Sequence, residues 1–481
     1  MISIYSKRSI FWFSSALFLL SFIIRFYLFN LTSFANGWDS YFYIIQIKSF
    51  IEEGSMHSSR LSLFYPILLI TQYLVNDYEL SYKIVSALAS AAFSLAFFRL
   101  SITLSKNSAI AWLLATYTLV STHLTYFAAQ YPKNLLGIVS LILLIDFLIR
   151  RKYIYSGLAF SCTIFLHKMT AGLALVVIII YFIFINTTDK KRGIWTIIGL
   201  LISPIILFLP QLLKINFITD RGLVLDFHTP WPTLSFLNTF QGLLTYEWYF
   251  NLAIANISIV VVIFHLIRRK GVSIEWLLLI PIVLLLTFPF LQWSVLDISF
   301  RFFMAFVLVA PLLLNCLSLK ITSNRLWLSC LFIGLLSIPS LAAYSPKKYD
   351  PPYSIYRLIS SKINMANNSL NFDLIIAHKS LAEYITFQTG IDVLPWIPEY
   401  NVNKDGLWRI ATGLNKKRIN YYAGDIKKDQ LKRLTPNYFL IREDVWQKAL
   451  KNIQEDDLTL YEELHSWKNP SEIRPDYLLK K

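Results

Sequence analysis

Three observations predict a polytopic α-helical membrane domain followed by a small polar α/β domain. Apolar runs of about 14 to 25 residues follow one another almost without a break to Tyr344. Alternate short loops between those runs carry Lys and Arg. After Tyr344 the composition turns polar and mixed. With 56% of its 481 residues hydrophobic, the chain has more apolar surface than a soluble fold could hide. A β-barrel would show short alternating segments, which are absent.

The first run, Ile10 to Leu31, follows Lys7 and Arg8. It is too long for a signal core and lacks a small-residue cleavage site, so it reads as a retained first span. Cys162, Cys316 and Cys330 all fall within apolar runs. They have no metal-ligand spacing and read as buried small residues. The net charge of +16 would suggest nucleic acid in a soluble protein. Here much of the excess sits in short loops, where it reports topology; no nucleic-acid partner is expected.

Basic groups mark one side of the membrane. They are Lys7-Arg8, Lys106, Arg150-Arg151-Lys152, Lys190-Lys191-Arg192, Arg268-Arg269-Lys270, and Lys320 with Arg325. Placing each of these loops in the cytoplasm gives about eleven spans, with the amino terminus inside and the carboxyl terminus outside. The count requires that residues 40–76 do not cross. Asp39 to Glu53 is interrupted by Gln46, Lys48, Glu52 and Glu53, and Leu61 to Val75 contains Pro66 and Gln72. Both stretches suit helices lying in the interface. The run at 153–166 is short and predicts tilting or local thinning of the bilayer.

The expected domains are therefore 1–344, a multi-span domain with interfacial helices at about 40–76, and 345–481, a soluble extracytoplasmic α/β domain. Ser345 to Pro352 reads as the linker between them. Strand-like runs at 374–377 and 437–441 alternate with helical stretches near 379–388, 427–433 and 443–453.

With this topology the outer face gathers ionisable groups from distant loops. Asp39 leads, inside Gly37-Trp38-Asp39-Ser40-Tyr41-Phe42-Tyr43. Its aromatic neighbours would seat the loop at headgroup level, where a partly desolvated carboxylate could accept a proton from a hydroxyl. The plainer role for Asp39 is to cap the helix that follows, and the two roles are compatible. Tyr131, Lys133, His167 and Lys168 lie at other outer turns. Their cations suit an anionic headgroup, whether of a substrate or of ordinary membrane lipid.

Asp297 and Arg301 are four residues apart on one helical face. Arg301 could hold a phosphate with Asp297 orienting it, or the two could form a structural ion pair. His228 lies in a Pro- and Trp-containing loop that suggests an ordered lid, and no paired histidine makes it a metal ligand. Glu52-Glu53 and Asp77 with Glu79 could hold a divalent cation, although solvated interfacial acids are the ordinary reading of such pairs. There is no Walker loop, dinucleotide fingerprint or serine-hydrolase elbow.

This pattern resembles the GT-C superfamily of integral-membrane glycosyltransferases over most of residues 1–344. The likeness rests on Trp38-Asp39-Ser40-Tyr41-Phe42-Tyr43 after one span, and on Ala129-Gln130-Tyr131-Pro132-Lys133-Asn134. His167-Lys168, and Phe300-Arg301-Phe302 leading into Pro311-Leu312, add to it. The resemblance implies a polyprenyl-phosphate or polyprenyl-diphosphate sugar donor and transfer on the extracytoplasmic face. The acceptor would be a glycan, lipid or protein. An acid in the first external loop would be the general base, which Asp39 matches. Arg301 matches a group that neutralises the leaving phosphate, with Lys133, His167 and Lys168 as looser matches. The second acidic motif and the Trp-Trp-Asp motif of the oligosaccharyltransferase branch are not evident, which counts against protein N-glycosylation.

Two other classes stay open on the sequence. One is a transporter or flippase for a lipid-linked oligosaccharide. Against it, mid-span regions read as nearly clean of polar groups and no repeated halves are apparent. The other is a non-catalytic scaffold or glycan-binding subunit on the same fold. A bacterial plasma (inner) membrane is the expected location.

Overall fold

The structure is a computed structural model. It describes residues 7–57, 62–105, 108–186, 245–268, 274–287, 304–317, 328–331, 333–334, 338, 341–342, 344–370, 375–391, 393–396, 438–456, 458–466, 468–469, 472–474 and 477–480. Two compact units result. The first comprises Met1–Leu31, Leu61–Val75 and Lys83–Pro346, and the second Thr32–Arg60, Asn76–Tyr82 and Lys347–Lys481.

The first unit is helical. In chain order it contains α1 (Lys7–Phe29), α3 (Phe64–Val75), the body of α4 (Tyr78–Leu104), α5 (Ser108–Val120) and α6 (Thr122–Gln130). These are followed by α7 (Pro132–Ile149), α8 (Tyr153–Leu166), α9 (Lys168–Asn186) and the helices Thr245–Ile267, Ile274–Thr287 and Met304–Asn315. Within it, the stretches Ile10–Phe29, Tyr78–Leu104 and Pro132–Ile149 are long and apolar enough to cross a membrane. Shorter apolar helices accompany them. At 14 residues, α8 spans about 21 Å, short of a hydrocarbon core of about 30 Å. The core is built from Phe93, Phe97, Leu124, Leu135, Ile142 and Val307, among others.

Between α5 and α6 the chain breaks at Ser121, whose backbone is extended and whose hydroxyl accepts from Leu124 N at 3.1 Å. A buried cation and a partly buried anion secure the break. The Arg25 guanidinium donates to the carbonyls of Leu119 (2.7 Å), Thr118 (2.6 Å) and Ser121 (3.3 Å), where a helix leaves its last carbonyls unpaired. The Glu247 carboxylate accepts from Ser121 Oγ (2.8 Å) and Thr122 N (2.9 Å), and lies 3.2 Å from His123 Nδ1. A cation thus meets one helix's C-terminus and an anion the next helix's N-terminus, as the peptide dipoles favour.

A second buried acid, Asp146 of α7, pairs with Arg99 and Arg150 at 2.8 Å each and accepts from Thr103. Arg25 and Asp146 lie near the ends of apolar spans, where groups of neighbouring segments bond the Arg25 Nη1 and Nη2 and the Asp146 carboxylate.

The second unit holds α2 (Ser40–Glu53) and the helices Tyr353–Leu370, Lys379–Thr389, Glu443–Asp456 and Leu458–Ser466. They accompany a five-stranded sheet of β1 (Ile375–His378), β2 (Val393–Trp396), β3 (Tyr438–Arg442), β4 (Glu472–Arg474) and β5 (Tyr477–Lys480). The order is β2-β1-β3-β5-β4. Strand β1 pairs parallel with β2 and β3, and β5 pairs antiparallel with β3 and β4. Strands β1 and β3 fall on the two strand-like runs, and helices occupy the stretches expected near 379–388 and 443–453. The stretch 427–433 lies outside the described residues.

Helix α2 buries Tyr41, Tyr43, Ile44, Ile45 and Ile47, and packs on the Lys379–Thr389 helix. The headgroup seating expected for the aromatics around Asp39 does not describe Tyr41. Its ring is fully buried, with ring centroids 4.7 Å from Tyr384, 4.8 Å from Tyr353 and 5.1 Å from Phe387. Rings from separate segments meeting edge-on supply much of the apolar burial that holds this unit together.

Candidate functional site

The Asp39 loop is held by residues 349–353, which run from the end of the stretch that reads as a linker into the next helix. Gly37 adopts φ +100°, a conformation that glycine alone adopts cheaply. Its amide donates to Asp350 Oδ1 at 2.8 Å, and Asn36 Nδ2 donates to Asp350 Oδ2 at 3.1 Å. The Trp38 indole donates to Tyr349 O at 3.0 Å, and the Tyr353 hydroxyl donates to Gly37 O. The stretch that reads as a linker thus also clamps the loop. Pro346–Tyr349 forms a short helix, and Asp350 satisfies the loop's amides.

Asp39 occupies the position before the first turn of α2, yet its side chain makes no capping bond. The Asp39 side chain, 12% exposed, forms an ion pair with Lys379 Nζ. Lys379 is the first residue of its helix, directly after the carboxyl end of β1. The parallel strands β2 and β3 flank β1, so the chain runs from β1 through that helix to one side and has β3 on the other. Crevices at such switch points are where open α/β sheets bind ligands.

Around the pair, Glu383 Oε1 lies 3.9 Å from Lys379 Nζ, and the Phe42 ring centroid lies 5.9 Å from it. His378 packs edge-on to Trp38 with ring centroids 5.9 Å apart, and Ser380 Oγ is 3.2 Å from its Nδ1. Burial, and then the charges of Lys379 and Arg442, push the His378 pKa down to about 4, so its ring is neutral at physiological pH. Desolvation first, then Glu79, raises the Tyr384 hydroxyl to about 12. Tyr353 and Tyr41 also lie well above the ordinary phenol value through burial, so these rings donate hydrogen bonds without ionising.

Other nominated groups gather in the first unit. Tyr131 ends α6, with its amide bonded to Phe127 O at 2.8 Å, and Pro132 opens α7. Lys133 Nζ lies 5.8 Å from the Tyr65 ring centroid of α3. His167 sits in the extended turn between α8 and α9, and Lys168 begins α9. A Cβ on Gly137, one turn beyond Lys133 on the same face of α7, would stand 3.1 Å from His167 Cβ. The same turn is tied to the entry of α3 by Leu63 N to Phe165 O (3.1 Å) and Ser62 Oγ to Leu166 O (3.2 Å). Lys133 and His167 are thereby brought near one another.

Arg301, Asp297 and His228 lie outside the described residues. Asp77 uses its carboxylate to cap Leu80 N at 2.8 Å, and Glu79 accepts from the Tyr41 hydroxyl at 3.4 Å. No group of three or more His, Cys, Asp or Glu suited to a metal ion occurs among the described residues. Lys379 was missed by the sequence reading because it stands 340 positions from Asp39. One local signal exists: a lysine at the first residue of a helix opposes the helix dipole.

No family model and no curated protein matches the sequence. Solved structures do match the fold. ArnT from Cupriavidus metallidurans in the apo state aligns with TM-score 0.61 at 10% identity, covering 98% of each chain. The same protein bound to undecaprenyl phosphate aligns with TM-score 0.53 at 11% identity, covering 97% of each. The archaeal oligosaccharyltransferase AglB from Archaeoglobus fulgidus was solved with an inhibitory peptide and a dolichol-phosphate. It aligns with TM-score 0.55 at 10% identity, covering 95% of this chain and 73% of that one.

Proposed function

We propose that this chain, whose fold is that of the GT-C superfamily of membrane glycosyltransferases, moves a sugar from a polyprenyl-phosphate-linked donor to an acceptor hydroxyl. The observation that carries the proposal is the buried Asp39 carboxylate, held ready by Lys379 at the carboxyl end of β1 on that fold. In the reaction, the acceptor oxygen bonds to the anomeric carbon as its proton passes to the Asp39 carboxylate. The bond from that carbon to the phosphate oxygen breaks, and its electron pair leaves with the polyprenyl phosphate. Displacement from the opposite face inverts the configuration.

Lys133, His167 and Lys168, with Arg301, are assigned to the anionic phosphate of lipid-linked substrate, and Tyr131, Asp297 and His228 to substrate contacts. The chain would lie in the plasma (inner) membrane with its amino terminus cytoplasmic and residues 345–481 extracytoplasmic. Acceptor classes are glycan, lipid or protein, and no step is routed through a metal ion.

The buried charges near the span ends do not favour transport. Arg25 and Asp146 are each engaged by several partners on adjacent helices, and such locked groups do not line a path. The test is transfer of labelled sugar from polyprenyl-phosphate donors by the purified chain in lipid. Transfer with inverted anomeric configuration supports the reading. Absence of transfer from every donor by well-folded protein overturns it.

A further inference from the structure

Resting on the reading of Asp39 as the base, we propose that Lys379 and Glu383 are its positioning residues. Lys379 holds the Asp39 carboxylate ionised and aimed, and Glu383, the second acid on the same ammonium, offsets part of that charge. Asp39 and Glu383 are 8% and 5% exposed, and the Lys379 ammonium stands between them. Glu383 follows Lys379 by one helical turn, so both project from one face of the Lys379–Thr389 helix.

A carboxylate this buried takes up a proton unless a cation stands beside it, and a protonated Asp39 could not take the proton of a hydroxyl. The ammonium supplies that cation. One bond to Lys379 uses one of about four lone-pair positions on the carboxylate, so pairing does not consume its capacity to accept. The lysine's own placement is locally unfavourable, because the helix N-terminus is already positive. Two carboxylates and the Phe42 ring face compensate. A local rule broken where two acids converge marks a functional arrangement more than a structural one.

Other charges face the pair from neighbouring segments. Asp350 lies under Gly37, Glu79 lies against Tyr41, His378 ends β1, and Arg442 of β3 acts on His378. All of these remain when Lys379 or Glu383 is substituted, and His378, whose pKa Lys379 helps to lower, is replaced by Gln in every protein compared, so that differences report those two residues.

The experiment is the pH dependence of kcat/KM for sugar transfer in the full chain, comparing the His378→Gln parent with Lys379→Met, Lys379→Arg and Glu383→Gln made in it. Removing the ammonium raises the pH at which Asp39 ionises, so Lys379→Met moves the acid limb up by about one unit. Removing the second anion does the reverse, so Glu383→Gln moves the limb down. Lys379→Arg keeps the parent's limb. Opposite displacements cannot arise from loosened packing. An unmoved limb in both variants, or displacement in one direction by both, overturns the proposal.

Melting temperatures of the same proteins from pH 4 to 8 give a readout that needs no transfer. The deficit of Lys379→Met is largest near pH 7, where Asp39 would be an unpaired buried anion, and shrinks towards pH 4 as it protonates. A deficit constant with pH overturns the charge role. Absence of transfer in wild type alongside a pH-dependent deficit would reject the glycosyltransferase reading while keeping the charge coupling. If Lys379→Met does not fold, the limbs of Lys379→Arg and Glu383→Gln decide.

Discussion

Lys379 and Asp39 stand 340 positions apart in sequence and form an ion pair at the carboxyl end of β1. That pairing turns an acid in a loop into a buried, oriented carboxylate. It also ties the first hydrophilic loop to the carboxyl-terminal segment within one compact unit.

Asp350 holds that loop through the Gly37 amide and the Asn36 side chain. Asp350→Ala leaves the Gly37 amide without its charged acceptor while Asp39 and Lys379 remain. Charge-assisted bonds contribute about 1.5–3 kcal/mol each, and the loop loses its fixed geometry. Transfer is expected to fall by about tenfold or more in kcat. An unchanged kcat would mean the clamp does not position the acid.

Glu247 and Arg25 straddle the break between α5 and α6. Arg25→Met deprives three carbonyls of their donor and leaves Glu247 with less compensation. A destabilisation of about 3 kcal/mol is expected, read as a lower melting temperature in detergent. A change below about 0.5 kcal/mol would show that the break does not depend on the guanidinium.

Gly137 packs where α7 meets the turn into α9. A Cβ there would overlap Thr170 Oγ1 and stand 3.1 Å from His167 Cβ. Gly137→Ala is expected to destabilise by about 1–3 kcal/mol, with part of the loss recovered in Gly137→Ala/Thr170→Ala, which removes the overlapping hydroxyl. Additive losses in the double variant would contradict this contact.

His378 is held neutral by burial and by the charges of Lys379 and Arg442, with its pKa lowered to about 4. The unfolded chain binds that proton near pH 6.5, so the contribution to stability is fully present above pH 6.5 and is lost as pH falls towards 4. The loss is at most about 3 kcal/mol. His378→Gln should flatten this part of the melting-temperature profile, and an equally steep profile in the variant would assign the acid sensitivity elsewhere.

Much of this arrangement was legible in the sequence. Asp39 stood out because it sits among aromatics just beyond a first span, the setting that the family resemblance also marks. Helices α2 and α3 followed from apolar runs too interrupted to cross a bilayer. The partner of Asp39 was hidden, since Lys379 is one lysine among many and only the sheet brings it to the acid. Glu247 and Arg25 were hidden for a related reason. Each lies near the end of an apolar helix, where a charge is cheap and carries little signal until the break at Ser121 is seen. Residues 345–352 read as a linker because Pro and Lys suggest one, whereas Tyr349 and Asp350 also make them a support of the loop.

The most direct measurement is sugar transfer from polyprenyl-phosphate donors by wild type and Asp39→Asn, at matched expression and with folding checked by melting temperature. The Asn side chain keeps the shape of Asp39 but cannot take the acceptor's proton, so transfer should fall by about 100-fold or more. Transfer at the wild-type rate in the variant would remove Asp39 from the chemistry.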